Sequence, residues 1–401
     1  MHAPSTTAPR PIWRDPRAHA LLLAATLNIM TNATVSPALP GLAGEFADAP
    51  DTALLLPLLV SAPSLTVALA APFCGAAVDR WGRRPLLVLG VVLFALVGTA
   101  GLVLPTLGGI LASRFLLGLP MALIMTAQTA LLGDIYAGEA RGRFSSYQFA
   151  AINWGGFVFI MLASTLAGQS ARLPFAVYAL PLLFAPFMWR VLAGAEVPGR
   201  RPAAGTAGEG RRGWAFVVAV AAGGQILTGA LFFLMPTQIP FAAEVRGLDG
   251  AATTGLVLGT LMLAGGVGAL GAQPLRMRFG RAATMALGFA AMGAGFAALA
   301  GAATGPAMAL AGAAIGAGFG TVSPHFVTLA LDAAPAARRG MTAGIVTMSM
   351  YLGRFLSPFG SEPMIAAHGF AVTYDATAVV FAVFAVCAAA AGAAHLVARE
   401  S

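Results

Sequence analysis

The chain reads as an all-α integral membrane protein with twelve transmembrane helices in two six-helix halves, and three observations predict it. Of its 401 residues 58% are hydrophobic and 9% charged, with a mean hydropathy of +0.83, which leaves too little polar surface to face water as a globule. The apolar residues gather into runs of about twenty, the length that crosses a bilayer. Three anchors also recur at one spacing of 198 positions: Gly82 in Arg80-Trp81-Gly82-Arg83 with Gly280 in Arg278-Phe279-Gly280-Arg281, Asp134 with Asp332, and Arg141-Gly142 with Arg339-Gly340. A repeat of that length marks two copies of one six-helix unit.

Residues 1–17 are polar, proline-containing and arginine-bearing, too little apolar to open a cleaved signal, and read as a cytoplasmic tail. Six apolar runs follow, at 18–40, 52–78, 85–104, 107–132, 144–166 and 173–192. They make a first bundle over 18–192. The stretch 193–212 breaks the pattern with glycine, proline, Glu196, Glu209 and four arginines, as a solvated linker does. Six more runs, at 214–240, 252–274, 282–303, 306–331, 341–365 and 372–397, make a second bundle over 213–397, and 398–401 is a short tail.

Arginine placement predicts orientation, because cytoplasmic loops are enriched in basic residues. Arg10, Arg14, Arg17, the cluster at Arg80, Arg141, Arg143, Arg200 to Arg212, Arg276 to Arg281, Arg338 and Arg339 fall on one side. The opposite loops hold Arg172 and Arg246 among Glu45, Asp48, Asp51, Glu244, Asp249, Glu362 and Asp375. Both termini are therefore expected in the cytoplasm. The formal net charge of +8 is a topology signal of this kind, and nucleic-acid binding is not expected. Cys74 and Cys387 lie in or beside apolar runs, as packing residues rather than a disulfide or metal pair. No acid, base and nucleophile constellation of an enzyme falls in the spans, and no glycine loop with lysine offers a nucleotide site.

The stretch Gly75-Ala-Ala-Val-Asp79-Arg80-Trp81-Gly82-Arg83-Arg84 is a charged knot between two apolar runs. Its glycines suit a tight turn and close helix approach, Asp79 can accept from an opposing helix amino terminus, and the arginines can bind carboxylates or phosphates. An arginine cluster that only sets orientation is the plainer alternative. This spacing resembles the loop between helices 2 and 3 of the major facilitator superfamily, with Gly75, Asp79, Arg80, Gly82, Arg83 and Arg84 on its glycine, acidic and basic positions. In that family the loop latches the two halves of a transporter on the cytoplasmic side. The second copy carries Met277 where the first has Asp79, so the latch is expected to be asymmetric.

Arg114-Phe-Leu-Leu-Gly118 in the fourth run is similar to the motif of the drug:proton antiporter branch. A charge inside a span faces a cavity or a partner, or snorkels to the interface. On the same helix Gly118, Met121, Met125 and Gln128 suggest a sulfur-rich cavity face. The fifth run departs from the branch, with Asn153-Trp154-Gly155-Gly156 and no proline, and those residues suit either a substrate or helix packing. In the eleventh run Thr347, Tyr351 and Arg354 share a face, with Arg354 read either as a counter-ion for an anionic solute or as a structural arginine satisfied where Pro358 loosens the helix. Asn28 and Asn32, with Thr31, and Gln225 with Thr228 are polar stripes open to both substrate contact and interhelical bonding.

His325, behind Ser323-Pro324, is the histidine embedded in a run and a candidate for proton coupling. No Asp or Glu falls in the middle of any run; Asp51 and Asp375, at outer ends, are the nearest substitutes. The resemblance implies alternating access by rocking of two parallel halves about a midplane site, export of an amphipathic or drug-like solute against proton entry, and residence in a bacterial inner membrane. The alternative is a proton-independent facilitator or exchanger of an organic anion. Expected partners are the solute, the lipid bilayer and protons; no cofactor and no metal is expected, and the chain is read as a monomer.

Overall fold

The computed structural model describes residues 12–136, 138–193, 213–335 and 338–400. The first eleven residues of the predicted tail, the linker over 194–212 and residue 401 lie outside the described residues, as do the side chains of Arg141, Arg143 and 394–400.

Asp15 opens α1 (Pro16–Ala33), its carboxylate accepting from the Arg17 amide with Pro16 at the first helical position. A 3-10 turn at Ser36–Ala38 leads into α2 (Leu39–Glu45), which completes the first crossing. Then come α3 (Thr52–Trp81), α4 (Arg83–Thr99), α5 (Leu107–Ile135) and α6 (Gly138–Ala167). The sixth crossing is a 3-10 stretch, Leu173–Ala179, running into α7 (Pro181–Val191). In the second half, α8 (Trp214–Phe232) and α9 (Leu234–Val245) share one crossing, followed by α10 (Gly250–Gly301), α11 (Gly305–Ala333) and α12 (Arg339–Glu400).

Ten helical segments among the described residues are long and apolar enough to cross a membrane. Two of them are too long for one crossing: a 52-residue α10 would run ~78 Å if straight, more than twice a hydrocarbon core of about 30 Å. Each breaks at one glycine, α10 at Gly280 (φ 81°) and α12 at Gly369 (φ 79°), so each supplies two crossings. A left-handed φ is open to glycine at little cost and reverses the chain without a loop.

The repeat is visible in atoms as well as letters. Gly82 (φ 95°) reverses the chain between α3 and α4 as Gly280 does within α10. Arg83 pairs with Asp134 in the first half, and Arg281 pairs with Asp332 at 2.5 Å at the equivalent place in the second. Thr106 and Thr304 cap α5 and α11 through Gly109 N and Ala307 N. Buried hydrophobic side chains form two clusters, one almost wholly from residues 18–192 and one almost wholly from 218–381.

Glycine also sets the helix spacing inside each half, where small residues let backbones touch. A Cβ on Gly118 would stand 2.4 Å from the Pro63 carbonyl oxygen, and one on Gly316 2.1 Å from that of Leu261. Gly316→Ala is expected to cost about 1–3 kcal/mol by forcing α10 from α11. Thermal unfolding in detergent checks it, against Gly271→Ala on α10, where an added Cβ meets open space. A variant as stable as Gly271→Ala would show that the helices part freely.

Candidate functional site

Between the halves lies a cavity of about 1010 Å³. α3 contributes Val67, Ala71, Gly75 and Asp79, and α4 contributes Arg83. α5 adds Ala122, Met125, Thr126, Thr129, Gly133 and Asp134, and α12 adds Met341, Gly344, Thr347, Met348 and Tyr351. The walls are apolar and sulfur-bearing, with a few hydroxyls, the usual chemistry of a small-molecule site. The charged residues stand at one end.

At the other end the cavity has a floor. The Tyr351 hydroxyl, from the second half, lies 3.0 Å from the Met125 sulfur and accepts from Asn28 Nδ2 at 3.0 Å, so three side chains bridge the halves. Beneath is a much smaller cavity, about 40 Å³, walled by Ile29, Asn32, Phe232, Phe233, Pro236 and Arg354 among others. Arg354 is buried, with its guanidinium over the rings of Tyr351 (5.1 Å) and Phe233 (5.7 Å), and it donates to the Met350 sulfur at 3.7 Å. Arg354 Nε and Asn32 Oδ1, on the same small cavity, are both buried without a hydrogen-bond partner among the described residues. Past them, the Ser36 hydroxyl donates to the Pro236 carbonyl across the halves, sealing that end.

The charged end is built of short-range links. Arg83 holds Asp134, which ties the start of α4 to the end of α5. Arg84 donates to the Trp189 carbonyl at 2.8 Å and lies over its indole, while Asp79 and Arg80 are exposed. Gly75 lies within α3 facing the cavity and makes neither a turn nor a close helix contact; Gly82 makes the turn. Nearby, Asp15 takes hydrogen bonds from Arg17 and from the Tyr136 hydroxyl at 2.9 Å. Burial pushes the Asp15 carboxyl up, but these bonds outweigh it and hold it below the ordinary carboxylate range. The Tyr136 phenol is pushed up, by burial first and by Asp15 second.

Several residues expected at the cavity lie elsewhere. Arg114 is fully buried inside the first half, donating to the Gly98 carbonyl at 3.1 Å with its guanidinium over Tyr178 and Phe175. Two rings and a helix carbonyl take the place of a solute or of the interface. Met121 packs in the first core, and Gln128 Nε2 donates to the Leu21 carbonyl at 2.8 Å, joining α5 to α1. Asn153 donates to its own helix at Phe149 and packs against Gly265 and Gly266 where α6 meets α10. Trp154, on α6, is 65% exposed and lines neither cavity. Gln225 and Thr228 are buried in α8 away from both cavities.

The proton candidates are scattered. His325 is buried in α11 with Nδ1 at 2.8 Å from the Thr321 carbonyl, and its Nε2 has no partner among the described residues. Asp51 begins α3 from a left-handed φ of 58° and is exposed, as is Asp375 on α12. Glu362, placed by sequence in an outer loop, lies inside α12 instead. The face expected on α5 is out by one step. Met125 points to the cavity, but its companions are Ala122, Thr126 and Thr129 rather than Met121 and Gln128. On α12, extending the Thr347–Tyr351 face back by one turn would have found Gly344, and Met348 lies one turn before Tyr351 on the same wall.

Two helical halves around a sealed-bottom cavity, with a reversing glycine and an arginine–aspartate pair repeated in each, define a membrane transporter rather than an enzyme. The chain belongs to the Major Facilitator Superfamily, whose family model matches residues 21–358. It is 32% identical to Multidrug resistance protein 2 of Bacillus subtilis over 117 residues, 29% of either chain. It is 28% identical to Quinolone resistance protein NorA of Staphylococcus aureus over 120 residues, 30% of this chain and 31% of that one. These matches span less than a third of the relatives' length. Among solved structures, nucleoside transporter NupG superposes with a TM-score of 0.72 at 13% identity, covering 93% of this chain and 98% of that one. The human organic anion transporter MFSD10 superposes at 0.67 and 16% identity, covering 94% and 99%. At such identities the likeness is one of fold alone.

Proposed function

We propose that this transporter exports amphipathic, drug-like solutes bearing an anionic or zwitterionic group from a bacterial cytoplasm, coupled to proton entry, with the halves 18–192 and 213–397 rocking as units. The Asp79 end of the cavity then faces the cytoplasm. One observation carries the reading: a cavity of about 1010 Å³, apolar and methionine-lined, bounded at its inner end by Tyr351, Asn28 and Met125, with a buried, carboxylate-free arginine just beyond. Such a cavity receives a bulky apolar body, and Arg354 beneath it attracts a negative group. Relatives named for multidrug and quinolone resistance agree with that substrate class.

The test is transport by the full chain in proteoliposomes with an internal pH dye, probed with a fluoroquinolone, which joins an aromatic body to a carboxylate and an amine. Probe movement that displaces protons, and that a proton uncoupler stops, is the expected result. Movement indifferent to the uncoupler would instead establish a facilitator or exchanger of organic anions, a reading that the unpaired Arg354 favours.

A further inference from the structure

We propose that Glu362 is the group that loads and unloads the coupled proton, an inference that rests on the antiport reading above. Four acidic side chains face an arginine among the described residues: Asp15 with Arg17, Glu45 with Arg172, Asp134 with Arg83, Asp332 with Arg281. Glu362 does not. It lies within the membrane-length α12, seven residues before the break at Gly369, half-buried, and its partner is a neutral amide, Gln238 Nε2 of α9 at 2.7 Å. The same nitrogen lies 3.3 Å from the Ser361 hydroxyl, and both Gln238 and Ser361 are buried. A carboxylate inside a span without a compensating cation is costly and marks a functional group.

The charged groups of the elements packed on α12 leave it alone. They are Asp79 and Arg80 on α3, Glu244 on α9, Arg276, Arg278 and Arg281 on α10, and His325 and Asp332 on α11; α8 carries none. On its own helix, Arg354 is about 12 Å away along the axis, and His368 and Asp375 lie beyond. None of these forms an ion pair with Glu362 among the described residues. Gln238 suits both protonation states: its amide N–H donates to a carboxylate, and its amide oxygen accepts from a carboxylic acid.

Location supplies the link to transport. Two residues before Gln238, Pro236 accepts from Ser36 in the seal between the halves. Opening that seal moves α9, which carries the ligand of Glu362. With the outer side open, Glu362 takes a proton from water there and its O–H donates to Gln238 or Ser361. As the halves swing over, before Tyr351 and Asn28 re-form the floor, the proton passes to water in the cavity that opens at Asp79; once the floor is closed the carboxylate again accepts from Gln238, the arrangement in this structure. One O–H bond forms and breaks, and one proton enters per solute expelled.

Glu362→Gln in the full chain, in proteoliposomes probed with the same fluoroquinolone, is expected to lower probe-driven proton flux and gradient-driven accumulation about tenfold or more, the scale of a coupling free energy between two sites. Exchange of labelled for unlabelled probe without a gradient is expected to persist, which shows that the variant folds and binds. His325→Asn should keep coupling. In infrared spectra of purified protein, a protonated-carboxyl band that shifts in D2O and titrates with pH should be absent from Glu362→Gln. If wild type moves protons and Glu362→Gln does so equally, the assignment to Glu362 falls and antiport stands. If wild type exchanges probe but moves no protons, antiport and the assignment fall together. Loss of exchange in both Glu362→Gln and Glu362→Asp would make the residue structural.

Discussion

Asp79→Asn is expected to slow turnover about thirtyfold while leaving probe affinity unchanged, on an interaction of ~2 kcal/mol at 1.36 kcal/mol per decade. Asp79 stands at the mouth of the cavity, across from Met341, Ala343 and Gly344 in the first turns of α12. Here that mouth is open, and the carboxylate is exposed. Closing the mouth brings it to the amino end of α12, where orphan N–H groups and the helix dipole favour an anion. Asparagine keeps an acceptor and loses the charge, so the closed-mouth state is destabilised while the solute's contacts at Met125 and Tyr351 are untouched. Met277, at the equivalent place in the second half, has no charge to offer, and Met277→Asn should change neither quantity. Fluoroquinolone exchange rates give turnover and quenching of its fluorescence gives affinity. A matching loss of affinity would refute the latch.

The repeat was the most legible part of the molecule, because the reversing Gly82 and the pair Arg83–Asp134 have their copies at a constant spacing and do the same physical work twice. The spans were legible from hydropathy, apart from their edges. Glu362, counted among the outer-loop acids at the end of the run 341–365, sits in a helix that continues past Pro363 to Gly369, since a proline can be carried by a membrane helix whose freed carbonyls find other partners. The site was harder to read. α5 is apolar on every side, so periodicity could not choose between a face through Met121 and one through Thr126. Arg114 showed its charge in the sequence, but the rings that cover it, Phe175 and Tyr178, come from a 3-10 stretch some sixty residues on. The link of Asn28 to Tyr351 joins residues 323 positions apart in opposite halves, a pairing no local pattern contains.

Arg354→Gln is expected to weaken binding and transport of carboxylate-bearing probes by about 10–150-fold, the worth of a hydrogen bond to a charged group at about 1.5–3 kcal/mol. The argument turns on what the cation lacks. Buried charges in proteins are paired or carry function; this one has two ring faces and a thioether, and its Nε is unpartnered. A solute carboxylate reaching past Tyr351 meets it with two parallel N–H donors, a geometry that a glutamine amide does not reproduce. Entry requires the Tyr351 hydroxyl to leave Asn28, so an anion that binds Arg354 also breaks a bridge between the halves and favours their movement. The control is the methyl ester of the same fluoroquinolone, alike in bulk but without the acid. Wild type should prefer the acid, and Arg354→Gln should treat acid and ester alike. If the variant lost both equally, or neither, Arg354 would be a structural residue held by its rings, and the solute's negative group would have no receptor at the floor of this cavity.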